Sequence, residues 1–197
     1  MLRGVDAAGF GPWVDAAVEV YAGAMKASRE QARGRRPIME RHLGYPNFRA
    51  YLALAGEELA GFCYGFHGEP GQWWHDAVAR GLTQKAGEGV ALSWLDESIE
   101  VAELQVMPTR QGGGIGRALL TTLCGERAER TVVLSTFDTD SRARRLYRSL
   151  GYVDLLTAFR FPGSAEVFAV MGAPLPLPEA DDATRDGRRS PSSPSIG

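Results

Sequence analysis

Apolar residues recur at helical spacing near the start of the chain and then change to patterns typical of β-strands. Within the first fifty residues they stand three or four positions apart, at Val14, Ala17, Val18, Tyr21 and Met25. This spacing predicts an amphipathic helix, with a brief strand before it at residues 2–5 and a second short helix at residues 37–43. From residue 50 the segments AYLALA and LAGFCYGFH, joined by GEE, predict the two strands of a hairpin.

Strand and helix patterns alternate in the rest of the chain. An excursion containing GEPGQWWHDAVARGL separates the hairpin from the next strand, and insertions of this length tend to be functional. The predicted elements are, in order, a helical insertion at about 68–97, a strand at 99–107, a helix at 114–127, a strand at 131–137, a helix that ends before Gly151, and a terminal hairpin of strands at 152–161 and 166–171.

Composition indicates one folded domain followed by a tail. The chain has 197 residues, 44% of them hydrophobic, which is enough for one sizeable core. We expect this domain to span residues 1–172. Residues 173–197 are rich in proline, serine and charge, so we expect them to be disordered.

Charge, cysteine and histidine content bear on the expected partners, compartment and metal content. The formal net charge of −2 with interspersed signs gives no global attraction to nucleic acid or to a membrane surface. The chain has two cysteines, Cys63 and Cys124, in separate segments, which is typical of a reducing compartment, and we expect a cytoplasmic protein. Neither these cysteines nor the three histidines show the spacing of metal ligands, so no metal is expected.

The segment QGGGIG, residues 111–116, lies between a predicted strand and a predicted helix. Glycines there let backbone amides approach an anion closely at the positive end of the helix dipole. A nucleotide P-loop requires Lys and then Ser or Thr after its last glycine, but Arg117 and Ala118 follow Gly116. The dinucleotide fingerprint requires a glycine at 117 or 119, where Arg117 and Leu119 stand. Both patterns are excluded, and a flexible turn that binds nothing is the remaining alternative to a different phosphate loop.

This loop and a second motif together resemble the GNAT superfamily of acetyl-CoA-dependent N-acetyltransferases. The loop fits the family pattern Q/R-x-x-G-x-G/A, and SRARRLYRSLGY at residues 141–152 is similar to the family's LYxxxGY signature. The resemblance covers residues 99–152, and the order of elements over residues 1–171 agrees with it. It implies an α/β (α+β) fold with a central mixed, mostly antiparallel sheet of six to seven strands, flanked by helices and splayed at the acetyl-CoA site.

The resemblance also assigns residues to the cofactor acetyl-CoA. The strand residues Leu104, Gln105 and Val106 correspond to the segment that hydrogen-bonds pantetheine. The residues that correspond to the pyrophosphate loop are Gln111, Gly112, Gly113, Gly114, Ile115 and Gly116. Arg117 or Arg110 adds a charged contact or, equally, faces solvent. Asp140 stands where many members have Asn, and because an ionised Asp only accepts hydrogen bonds, Ser141 is the alternative contact.

Acetyl transfer to an amine needs a proton for the departing thiolate and a group that takes the amine's proton. The resemblance implies that Tyr147 is the general acid and also borders the cofactor, since a phenol is protonated at neutral pH. Tyr147 also continues the apolar face of its helix, so a packing role is the alternative. The candidate bases are Glu100 and Glu103. Strict alternation puts them on opposite faces of the strand, so at most one faces the cleft unless a bulge intervenes.

The acceptor is expected to be a primary amine of a small molecule or peptide, bound beside the insertion. Trp73, Trp74 and His75 are the candidate acceptor contacts, although the tryptophans, with Trp94, equally suit packing of the insertion. The resemblance implies direct attack in a ternary complex. A non-catalytic acyl-CoA-binding module and an enzyme for a longer acyl-CoA are the alternatives. The terminal hairpin offers a pairing edge for a homodimer.

Overall fold

This computed structural model describes residues 1–178. They contain seven strands and seven α-helices, joined by loops and short turns. Among these residues, none of the helices combines the length and the apolar character needed to cross a membrane. The elements, in chain order, are β1 Leu2–Val5, α1 Ala7–Phe10, α2 Val14–Met25, α3 Arg29–His42, β2 Arg49–Ala55, β3 Glu58–His67, α4 Trp73–Ala86, α5 Glu88–Leu95, β4 Ser98–Val106, α6 Ile115–Gly125, β5 Thr131–Phe137, α7 Arg142–Arg148, β6 Val153–Phe159 and β7 Phe168–Pro174.

The strands form one mixed sheet in the order β1-β2-β3-β4-β5-β7-β6. All neighbouring pairs are antiparallel except β4 with β5, which run parallel. Those two strands pair only from Ser98 to Glu100, opposite residues 131–133, and their pairing ends there. The predicted mixed, mostly antiparallel and splayed sheet is confirmed, and β6 forms one of its edges.

Helices cover the two faces of the sheet in three groups. On one face, α6 and α7 enclose a core with Leu119, Leu123 and Tyr147. On the other face, α1 to α3 pack over β2 and β3 around Phe10 and Phe62. The insertion helices α4 and α5 pack on that same face, over β5 to β7, in a separate cluster. Strand β4 therefore lies beneath the boundary between the two groups of helices on this face.

The predicted helical insertion consists of two helices, and it is packed closely onto the sheet. The helices separate at Gly87, whose φ of 91° is in the left-handed region that favours glycine. A Cβ at Gly81 would lie 2.7 Å from the Phe159 ring, and one at Gly172 would lie 3.0 Å from the Trp94 ring. These contacts leave no room for larger side chains, so the insertion is fixed to β6 and β7.

Helix α3 and strand β7 extend beyond their predicted bounds. Helix α3 begins at Arg29 rather than residue 37, because Ser28 and Gln31 form a capping box that satisfies its first amides. Strand β7 continues past the predicted domain end at residue 172, and Leu175 and Leu177 pack against the α6–α7 core. The rest of the predicted tail, residues 179–197, lies outside the described residues.

A partly buried polar contact attaches α3 to the sheet. His42 Nδ1 lies 2.9 Å from the Tyr64 hydroxyl oxygen, and its ring packs on Phe66 with centroids 5.0 Å apart. Burial, with help from Arg35 and Arg41, lowers the pKa of His42 from 6.5 to about 4. His42 is therefore uncharged at neutral pH.

This histidine predicts acid sensitivity. Because the folded pKa is depressed, its contribution to stability is complete above pH 6.5 and is lost as the pH falls toward 4, a loss of ~3 kcal/mol. Urea unfolding at a series of pH values measures it. His42→Gln is expected to lose less stability than the wild type over this interval, and parallel losses in the two proteins would contradict the role given to His42.

Candidate active site

A β-bulge in β4 places both candidate carboxylates on the same face of the sheet. The register between β3 and β4 pairs Tyr64 with Glu103 and Phe66 with Glu100, with a shift between them that leaves Ala102 as the extra residue. Residues directly opposite each other point to the same face, so both glutamates lie on the face covered by α2, α3 and α4. Strict alternation, which separates them, fails at this point of the strand.

A cavity of about 480 Å³ opens where β4 and β5 separate. Its walls come from β4, the glycine loop with the start of α6, the end of β5, and α7, with the end of α2 at its mouth. Most of the predicted cofactor residues line it: Leu104, Gln105, Val106, Gln111, Gly112, Gly114, Ile115, Gly116, Arg117 and Tyr147. The cavity also contains Glu103, one of the two candidate bases. Glu100, the other, is not among its lining residues.

The glycine loop has the backbone conformations that its sequence requires. Gly112 and Gly114 have φ of 86° and 82°, and a Cβ at either would meet nothing within 4 Å. Gly114 is the N-cap of α6 and provides no capping side chain, so the first amides of the helix have no such partner. Gln111 Nε2 donates to the Val106 carbonyl (3.0 Å) and closes the loop onto β4.

Three predicted cofactor contacts are placed elsewhere. Gly113 lies on the opposite side of the loop, against a second cavity near the N terminus. Asp140 is exposed and accepts a hydrogen bond from Arg145 (2.8 Å), and Ser141 Oγ accepts from the Arg144 amide as the N-cap of α7. Neither residue lines the large cavity, because local capping and pairing at the start of α7 occupy both side chains.

Tyr147 lies on the cavity wall and is almost fully buried. It projects from α7 beside Leu146 and Ala143, and its ring packs near that of Tyr152 with centroids 5.6 Å apart. Burial raises the pKa of Tyr147, with smaller contributions from Cys63 and Glu103. The phenol is therefore protonated across the neutral range, as a general acid requires, while it also packs in the core.

Glu103 forms a partly buried ion pair that the sequence did not reveal. Arg35 of α3 directs both Nε and a terminal nitrogen at Glu103 Oε1, and Gln105 Nε2 donates to Oε2 (2.8 Å). The guanidinium also lies over the Tyr21 ring, 5.4 Å from its centroid. Burial acts to lower the pKa of Arg35, but Glu103 and neighbouring groups raise it overall. Arg35 is one of several arginines on α3, and nothing in their spacing singles it out.

Glu100 has a different partner. His75 Nδ1 of α4 lies 3.0 Å from Glu100 Oε1, and both side chains are buried. Burial raises the pKa of Glu100, and His75 opposes that shift. A Cβ at Gly68 would lie 2.8 Å from Glu100 Oε1, so this position needs glycine for the pair to form. The sequence had assigned His75 to the acceptor, separately from Glu100.

The two adjacent tryptophans differ in their surroundings. Trp74 Nε1 donates to Ser135 Oγ (3.0 Å), and Ser135 lines the large cavity, so Trp74 supports the cavity wall from behind. Trp73 is about half exposed and packs on Phe161, with ring centroids 5.3 Å apart. Neither tryptophan lines the cavity itself.

Comparison of the sequence with known proteins agrees with this geometry. The family model of the acetyltransferase (GNAT) domain matches residues 46–154. A GCN5-like protein acetyltransferase from Mycobacterium tuberculosis is 34% identical over 187 residues, which cover 82% of this chain and 91% of that protein.

Solved structures share the fold at low sequence identity. A GNAT-family protein from Desulfovibrio desulfuricans has a TM-score of 0.63 at 15% identity, covering 88% of this chain and 98% of that one. The Salmonella typhimurium protein yncA, solved with its cofactor acetyl-CoA, has a TM-score of 0.60 at 18% identity, covering 93% and 98%. From the family model and the relative from Mycobacterium tuberculosis, we conclude that the chain belongs to the GNAT family of acetyltransferases.

Proposed function

We propose that the protein transfers the acetyl group of acetyl-CoA to the side-chain amine of a lysine in a protein, by direct attack in a ternary complex. The observation that carries this proposal is the cavity at the β4–β5 splay, which brings together a freed strand edge, the glycine loop and the Tyr147 phenol. The name of the Mycobacterium tuberculosis relative, a protein acetyltransferase, supports a protein acceptor.

The residues around the cavity suit coenzyme A. Beyond Glu100, none of the described strands pairs with β4 on the β5 side, so the backbone of Leu104 to Val106 is available to the amides of a pantetheine arm. The open space at Gly112 and Gly114, with the uncapped amides of α6, suits a pyrophosphate, and Arg117 and Arg110 line the same cavity. Acetyl-CoA would supply the thioester whose acetyl group is transferred.

The side chains divide the proton transfers between them. Tyr147 donates its proton to the departing sulfur, and a backbone amide of β4 near Val106 polarises the carbonyl oxygen. Glu100 receives the amine's proton through water, because within the described residues only its Oε1 has a hydrogen-bond partner. Both oxygens of Glu103 already accept hydrogen bonds, so Glu103 is the weaker candidate for this role.

The first test measures thiol release from acetyl-CoA with a panel of acceptors: lysine peptides, polyamines and an aminoglycoside. We expect turnover with a peptide whose lysine side chain is its one free amine, and the mass of the product identifies the acyl group transferred. Tyr147→Phe is expected to lower kcat roughly 100-fold. Binding of CoA without thiol release from any acceptor would favour an acyl-CoA-binding module instead.

A second test concerns the proton acceptor. Glu100→Gln is expected to lower kcat roughly 100-fold without changing the affinity for CoA. Asp76→Asn is the matched control, since this neighbouring carboxylate of α4 accepts the Gly71 amide and has no proposed catalytic role. If steady-state kinetics give Glu100→Gln the same kcat as the control, Glu100 is not the proton acceptor.

A third test separates the glycines of the loop. Gly114→Ala forces a side chain into the left-handed region at a cost of about 1–2 kcal/mol, so we expect CoA affinity to fall roughly tenfold. Gly113→Ala is the control, because Gly113 has no positive φ and its Cβ would meet only one atom, at 3.9 Å. Titration calorimetry with CoA compares the two, and equal losses would argue against a conformational requirement at Gly114.

A further inference from the structure

Beside the cavity lies a charge pair, Glu103 with Arg35, whose role the transfer chemistry does not explain. Glu103 lines the cavity, yet its side chain is only 2% exposed, and all of its described hydrogen bonds come from Arg35 and Gln105. Arg35 is not among the residues that line the cavity. Its guanidinium therefore stands behind the carboxylate, between β4 and α2, where Tyr21 covers it.

The other titratable groups near this pair are uncharged around neutral pH. They are Tyr21 on α2, His42 on α3, Cys63 and Tyr64 on β3, and Tyr147 on α7. Burial raises the pKa of the tyrosines and of the thiol, and it lowers that of His42 to about 4. The guanidinium-bearing residues Arg110, Arg117 and Arg142 also line the cavity. Glu100 and His75 form a separate pair further along β4.

A lone carboxylate at the position of Glu103 would oppose acetyl transfer. It would stabilise the ammonium form of an incoming amine, and an ammonium has no lone pair with which to attack a carbonyl carbon. A unit charge 6–8 Å away, at an effective dielectric constant of about 20, moves a pKa by about one to two units. The positive charge of Arg35 cancels most of this effect.

We propose that Arg35 is a positioning residue that holds Glu103 as half of a neutral pair, so that an acceptor amine of the lysine type binds in its uncharged, nucleophilic form. This inference deepens the proposed acetyl transfer and depends on it. Glu103 acts on the amine through its charge alone and takes no proton from it.

The test measures kcat from about pH 6 to pH 10 with a probe peptide that is acetylated at its N terminus, amidated at its C terminus and contains one lysine. In Arg35→Met, the uncompensated carboxylate is expected to move the acidic limb of the profile upward by about one to two pH units. In Glu103→Gln, the uncompensated guanidinium is expected to move that limb downward. The double variant Arg35→Met/Glu103→Gln removes both charges and is expected to return the limb to within about half a unit of the wild type.

The matched control is Arg36→Met. Arg36 is the next residue of α3, is half exposed and pairs with Asp15 and Glu40, so its removal changes the charge of the same helix away from the cavity. The acidic limb of the kcat profile of Arg36→Met is expected to coincide with that of the wild type. Thermal unfolding and CoA titration establish that each variant is folded. If Arg35→Met does not fold, Arg35→Lys, which keeps the charge, must leave the limb in place while Glu103→Gln still moves it.

Two results would overturn the inference. If the acidic limb of the kcat profile stays in place in both Arg35→Met and Glu103→Gln, the pair does not control the charge of the amine. A loss of more than about 100-fold at every pH in both Glu103→Gln and the double variant shows that Glu103 is the base. Failure of the proposed function looks different, because the wild type itself would then give no acetylated peptide at any pH.

Discussion

The early end of pairing between β4 and β5 is the constraint on which the site depends. The two parallel strands share only three register positions, from Ser98 to Glu100, and the opening beyond them forms the cavity. The freed backbone of β4 requires a hydrogen-bonding partner, and a ligand in the opening can provide one. Helices α6 and α7 wall the cavity on one face of the sheet, and β4 presents its carboxylates on the other. If β4 and β5 stayed paired along their length, the glycine loop and Tyr147 would not border a common cavity.

The bulge at Ala102 adds a second constraint, which acts on charge. By turning Glu100 and Glu103 to one face, it buries two carboxylates beneath the same layer of helices. Two unpaired buried carboxylates would be costly, and the fold provides each with its own cationic or titratable partner from a different helix group. Arg35 reaches Glu103 from α3, and His75 reaches Glu100 from α4. The two groups of helices thereby give the two carboxylates different partners.

The sequence predicts the fold well where the signal is local. Periodicity and turn residues predict most of the strands and helices. The glycine loop and the later LYRSLGY segment together indicate the cavity that Tyr147 lines. The partners of the two carboxylates are not predictable in this way. Arg35 and Glu103 stand 68 residues apart and His75 and Glu100 stand 25 apart, and the bulge that aligns them has no sequence signature.

Both helix groups on the face opposite α6 and α7 contact the sheet through polar pairs, and the attachment of α3 matters for the proposed role of Arg35. Helix α4 is held by close packing, as at Gly81 against Phe159, and by the polar contacts of Trp74 with Ser135 and His75 with Glu100. Helix α3 packs chiefly on α2 and reaches the sheet through Met39, through the His42 ring on Phe66, and through two partly buried polar contacts, Arg35 with Glu103 and His42 with Tyr64. Because the guanidinium that pairs with Glu103 belongs to α3, this carboxylate keeps its partner only while α3 is docked. Under the proposal, displacing α3 would leave the carboxylate uncompensated and favour the unreactive ammonium, so docking of this helix and reactivity of the acceptor are linked through one ion pair.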